Sequence, residues 1–138
     1  MKKMRFIIAH NDFETFQKML ILGTTGAAMG VKMYFFFTFW GLKLIKKGNK
    51  PRVAGMRNGM KRMAGWMFRR KLEKFGYKDQ EEMLRKEVKR GKVKLFPCSM
   101  TFEMMGFKKE QMWDFVEKPV GAATFLEQCS DADSIIHM

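Results

Sequence analysis

Of the 138 residues, two are cysteines, and Cys98 is the one whose setting suits reactivity. It stands in Pro97-Cys98-Ser99-Met100, where a short apolar run, Val93 to Phe96, reads as a strand and Met100 to Met105 reads as a short helix stopped by Gly106. A thiol at the start of a helix meets unpaired amides and the positive end of the helix dipole, which stabilise the thiolate and lower its pKa. That thiolate is the nucleophile of thiol exchange. The competing reading is a small buried hydrophobe, the ordinary state of a free cysteine in a packed core, and position alone leaves both open. Cys129, 31 positions further on, ends a predicted helix instead of starting one, so its claim to be a second carrier or a resolving thiol is weaker.

Other chemistries lack their residues. With two histidines and no C-x-x-C or H-x-x-x-H spacing, no metal site is expected. Neither G-x-G-x-x-G nor a G-x-x-x-x-G-K-[ST] loop occurs, so no nucleotide and no other cofactor is expected. No acid-base pair can be read from the chain either, which favours a carrier over an enzyme that releases free product.

The elements that would position Cys98 follow from periodicity. Met4 to Ala9 is a short apolar run that suits a central strand, and Asp12 can cap a helix from Phe13 whose apolar residues Phe13, Phe16, Met19, Leu20 and Ala27 recur at helical spacing, with Gly30 as the stop. Val31 to Phe37 is the second strand, so a helix-length connection joins two buried strands and implies a parallel βαβ unit. Thr38 to Gly41 is read as a loop, Leu42 to Lys46 as a short helix, Asp79 to Arg90 as a helix with acids early and bases late, Lys108 to Met112 as helical, Trp113 to Val116 as a further strand, Val120 to Gln128 as a helix, and the tail from Ser130 as frayed. The fold class is α/β, a three-layer, doubly wound, mostly parallel sheet in one domain over 1–138 with a basic helical insertion at about 43–74. In such sheets ligands gather beyond the carboxyl ends of the strands. The candidate residues lining a site with Cys98 are therefore His10, Asn11 and Asp12 after the first strand, Phe39 and Trp40 after the second, and Ser99 and Gly121. His10 could carry a proton there, against the alternative of an exposed turn histidine.

Charge is the other strong signal. Lys and Arg number 27 against 14 acids, a net charge of +13, and from Lys43 to Lys74 twelve basic residues face a single acid, Glu73. Met56, Met60, Met63 and Met67 follow a 4-3-4 spacing on one face of a predicted helix, with Arg57, Lys61, Arg62 and Arg69 opposite and Arg70 beside them as candidate partner-docking residues. A methionine stripe of this kind serves as a lid or subunit contact, while the basic face can dock an acidic protein, a membrane surface or nucleic acid. Nucleic acid is the least supported, for want of any recognised motif. Two cysteines are too few for a disulfide framework, so a reducing cytoplasmic setting is expected, with surface attachment to a membrane as a further reading. Between Met19 and Leu42 only Lys32 is charged, a stretch long enough to span a bilayer, yet Gly23, Gly26 and Gly30 divide it into helix, turn and strand.

Three stretches carry a resemblance. Gly26-Ala27-Ala28-Met29-Gly30, followed by Val31 to Phe37 and Thr38-Phe39-Trp40-Gly41-Leu42, resembles the FFTFWGL segment of DsrE/DsrF-like proteins of the subgroup with a methionine-rich insertion. Phe96-Pro97-Cys98-Ser99-Met100-Thr101-Phe102-Glu103-Met104-Met105-Gly106 resembles that subgroup's C-x-M-[ST]-x-x-x-M-G pattern, and Val120-Gly121-Ala122-Ala123-Thr124-Phe125-Leu126 follows near the end. The resemblance implies a doubly wound parallel sheet, assembly as trimers or hexamers, and a cysteine that accepts sulfane sulfur or a thiosulfonate group and hands it on. Cys98 matches the carrier cysteine. Its partners would then be sulfur donor and acceptor proteins of acidic character, together with small sulfur oxyanions or polysulfide. His10-Asn11-Asp12 departs from the small-residue loop expected after the first strand, and Cys129 lies outside the motif.

Overall fold

A computed structural model describes residues 2–54, 61–74 and 80–138. Four strands, β1 (Lys3–Ile8), β2 (Lys32–Phe37), β3 (Val93–Pro97) and β4 (Ser134–His137), form one sheet in the order β3-β2-β1-β4, and every neighbouring pair is parallel. Parallel neighbours need crossovers. These are supplied by α1 (Phe13–Ala28), α2 (Lys61–Lys74), α3 (Gln80–Lys89), α4 (Ser99–Met104) and α5 (Ala122–Cys129). The Asp12 side chain accepts the Thr15 N–H at 2.7 Å, the N-cap expected of it.

The period-2 alternation of the strands sorts their side chains into two cores of unequal size. Phe6, Ile8, Met33, Phe35, Phe37, Val93 and Leu95 join Met19, Leu20 and Ala27 of α1 and Leu84 of α3 on one side. On the other, Tyr34, Phe36, Phe96 and Cys98 pack with Phe125 of α5, whose ring stacks on Phe36 with centroids 4.2 Å apart. Helices thus cover both faces of a three-layer α/β sheet. Among the described residues no helix is long and apolar enough to cross a membrane. Met19 to Leu42 is split by a turn at Gly30, whose φ of +83° suits glycine, whereas Gly23 and Gly26 do not break the stretch but lie buried inside α1.

Three expectations are corrected. The tail from Ser130 is not frayed: Asp133 accepts the Lys2 and Lys3 amides at 2.8 and 2.9 Å, and Ser134 to His137 then pairs along β1. Trp113 to Val116 is no strand, because its backbone bonds scatter, Trp113 to Ile45 and Glu117 to Leu95, while Trp113 and Phe115 stack on each other at 5.0 Å. The segment after β2 is helical from Phe39 onward, a 3-10 turn over Phe39–Ile45. Its close docking depends on Gly41, where a Cβ would stand 2.2 Å from the Ile8 carbonyl oxygen.

Candidate functional site

Cys98 is fixed from both sides. Its N–H donates to the Phe37 carbonyl at 2.8 Å, extending the β2–β3 ladder by one residue, while Val120 donates to Pro97 and accepts from Ser99, each at 2.9 Å. The backbone of Cys98 is extended, with φ −72° and ψ 121°, and its carbonyl accepts the Phe102 N–H at 2.9 Å. Cys98 is therefore the N-cap of α4, one residue earlier than a helix from Met100 would place it. The side chain is 5% exposed and lies against the aromatic core beneath α5.

Two threonines surround the sulfur. Thr38 is the first residue past β2 and Thr101 lies one turn into α4, and their hydroxyl oxygens are 3.3 Å apart. Thr101 Oγ1 also accepts the Phe39 N–H at 3.2 Å, which leaves its own proton to donate toward Thr38 or the thiol. Burial pushes the Cys98 thiol up. The Thr101 amide and hydroxyl, the Thr38 hydroxyl and the Met100 amide pull the other way and prevail, holding the thiol below its ordinary value. Phe39 itself has φ +47°, an uncommon state for an aromatic residue. Its amide is held in that state by Thr101.

The candidate residues divide into two groups. Ser99 and Gly121 stand with Cys98, a Cβ on Gly121 coming 3.8 Å from the Ser99 hydroxyl. Phe39 borders the site through its backbone, with its ring exposed. His10, Asn11, Asp12 and Trp40 instead line a separate open cleft of about 360 Å³ together with Lys43. β2 stands between β1 and β3, which sets the ends of those two strands roughly 10 Å apart. The His10 ring meets His137 edge to face at 6.3 Å. Asp12 is committed to its cap, and Asn11 accepts from Asn49 at 2.9 Å. Sequence reasoning missed Thr38 and Thr101. Thr101 occupies the [ST] position of the cysteine motif, which was the available signal.

Cys129 lies at the far end of α5, half-buried against the same aromatic core. Burial pushes its thiol up, Arg5 pulls it back and Asp131 adds to the rise. α5 begins just after Gly121, beside Ser99, and a helix of this length separates its two ends by about 10 Å. The helix thus holds Cys129 away from Cys98. Among the described residues no cluster of three or more His, Cys, Asp or Glu side chains could hold a metal ion.

Of the candidate docking residues, Arg57 lies outside the described residues with Met56 and Met60, as do the side chains of Lys61 and Arg62. Arg69 is not free to dock. Its guanidinium bonds the Pro51 carbonyl and sits 5.0 Å from the Phe13 ring centroid. Arg70 is exposed, 5.0 Å over Trp66.

The chain matches the DsrE/DsrF/DrsH-like family over residues 1–136. The sulfur carrier protein DsrE2 of Allochromatium vinosum is 30% identical over 158 residues, covering 99% of this chain and 98% of that protein. Among solved structures, the ychN protein from E. coli has a TM-score of 0.60 at 14% identity, with 100% of each chain covered. MTH1491 from Methanobacterium thermoautotrophicum, a protein of unknown function, has a TM-score of 0.61 at 12% identity over 99% of each chain. At those identities the two structures share the fold.

Proposed function

We propose, because this chain belongs to the DsrE/DsrF/DrsH-like family, that it relays sulfur through Cys98. The observation that carries the reading is the set of hydrogen-bond donors around this one sulfur, enough to favour the thiolate against the cost of burial. The relative that is a sulfur carrier by name supports the same role.

The chemistry needs no redox partner. The Cys98 thiolate attacks the outer sulfur of a donor persulfide, a new S–S bond forms, and the donor departs as its own thiolate. With tetrathionate, the thiolate attacks a central sulfur, the S–SO₃ group stays on Cys98 as a thiosulfonate, and thiosulfate leaves. In either case the amides of Met100 and Thr101 and the two threonine hydroxyls are the donors that this reading assigns to the anionic sulfur. Handing the sulfur on is the same exchange in reverse, with an acceptor thiolate as the attacking group. Partner proteins that give and take sulfur are therefore part of the reading, and Cys129, with its raised pKa and its distance, is left outside it.

Intact mass spectrometry tests the proposal. Reduced protein and a Cys98→Ser variant are treated separately with polysulfide, thiosulfate and tetrathionate, before and after reductant. The expected result is a reducible adduct on the wild type that the variant lacks, its mass identifying the carried group. Wild-type protein left unmodified by every donor, or an adduct that persists in Cys98→Ser, would sink the assignment.

A further inference from the structure

Met63 and Met67, the two methionines of the stripe among the described residues, face solvent, the reverse of a packed lid. α2 is anchored by its other side: Gly65 is buried beside Val53, Phe68 meets the Phe13 ring edge to face at 6.1 Å, and Arg69 is tied to Pro51 and Phe13. Outward stand Met63, 72% exposed, Trp66, 59%, and Met67, 50%. Arg70, Lys71 and Lys74 continue the same face, and with Trp66 and Met67 they line a groove of about 390 Å³. Among the described residues no carboxylate pairs with these three cations.

We infer that this face of α2 docks an acidic segment of a partner protein, one that presents an apolar anchor followed by carboxylates. Met63, Met67, Arg70 and Lys74 recur at 4-3-4 spacing, so the apolar and cationic parts succeed each other along one line of the helix. An in-plane membrane helix sets its cations at the flanks of the apolar stripe, where they reach the headgroups. Here the cations lie in the stripe itself, so immersing it would carry charge into the acyl region. On this face a second copy is disfavoured, because it would set Arg70, Lys71 and Lys74 against their own counterparts. A protein segment satisfies both halves at once, with an aromatic or aliphatic side chain against Trp66 and the adaptable methionines and carboxylates against the three cations, whose field also speeds the encounter. The inference takes from the relay reading only the need for a partner to approach. Its surface is argued from α2 alone.

The test titrates the full chain with a fluorescein-labelled synthetic peptide of leucine and phenylalanine followed by glutamates, and with the same peptide carrying glutamines. Saturable binding of the first is expected, weakened by about tenfold or more in Arg70→Glu/Lys74→Glu and by the glutamine exchange, and weakened also in Met67→Ser. These positions are exposed, so the variants retain the fold, which circular dichroism checks. Absent saturation, or affinity unchanged in the variants, overturns the inference. So does binding to phosphatidylglycerol vesicles or a DNA duplex through the same residues while the peptide fails. Loading of Cys98 is followed by mass in each variant and is expected to match wild type. A failed peptide titration with normal loading thus rejects the docking face and spares Cys98, and failed loading with normal titration does the opposite.

Discussion

At the scale of residues, the reactivity of Cys98 depends on neighbours that contribute no charge of their own. Thr101 is 2% exposed and serves two groups, accepting from Phe39 and favouring the Cys98 thiolate. Replacing it with valine keeps the volume, removes a donor from the thiolate and leaves the Phe39 amide without its acceptor. Two effects of separate origin are expected in Thr101→Val. The thiol pKa rises toward the ordinary value, so less thiolate is present at any pH below it and the pH midpoint of iodoacetamide alkylation moves up. The fold also loses about 1–2 kcal/mol, the cost of a buried polar group without a partner. A midpoint that stays in place would assign the lowered pKa to the amides of α4 and the Thr38 hydroxyl.

At the scale of elements, legibility followed the range of the interaction that decides each one. β1, α1 and β2 were readable because each is settled locally, by an apolar run, the Asp12 cap and the stop at Gly30. The Pro97-Cys98-Ser99 junction was readable for the same reason. β4 was not, because four residues carry little pattern and what orders them is distant in sequence: Lys3 bonds Asp131 at 2.6 Å, and Asp133 takes the amides of Lys2 and Lys3 where the first strand begins. Trp113 to Val116 has the composition of a strand, but Trp113 bonds Ile45 of the 3-10 turn and the run joins no ladder of the sheet. Thr38 and Thr101 escaped for a related reason, since they meet only once the register sets Pro97 beside Phe37. Of the methionine stripe, Met63 and Met67 share one face of α2, and periodicity cannot say which face the rest of the chain covers. Those tail contacts also predict a pH response. The Lys2 and Lys3 amides hold the Asp133 carboxyl below the usual carboxylate value. Its contribution is therefore complete above the unfolded pKa and is lost as the pH falls through the folded one. Hydrogen exchange of Ile135 to His137 is expected to accelerate, relative to the β1–β2 amides, in acid and equally in Asp133→Ala at neutral pH. Equal protection in the variant and the wild type would show that pairing with β1 holds the strand without the aspartate.

At the scale of the molecule, the sheet divides the protein into a large core under α1 and α3 and a small one under α5, and Cys98 belongs to the small one. A thiol 5% exposed reaches a donor only when something moves, and the asymmetry indicates what moves most easily. α5 buries one side chain fully, Phe125, so releasing it costs about 1.5–3 kcal/mol of apolar burial, well below the roughly 5–15 kcal/mol of a whole domain. Access to Cys98 should therefore come from a local opening of the α5 face and not from unfolding. The two routes differ in how much surface they expose, and urea reports that directly, because the slope of free energy against denaturant scales with newly exposed area. Labelling of Cys98 by a thiol reagent, followed across urea concentrations below the unfolding transition, is expected to accelerate with a slope well under that of global unfolding. Phe125→Leu, which loosens the stack on Phe36, is expected to raise the rate in water while leaving that shallow slope. If Cys98 labelling instead runs parallel to global unfolding, the small core opens only with the large one, and a sulfur donor would have to deform the folded site itself to reach the thiolate.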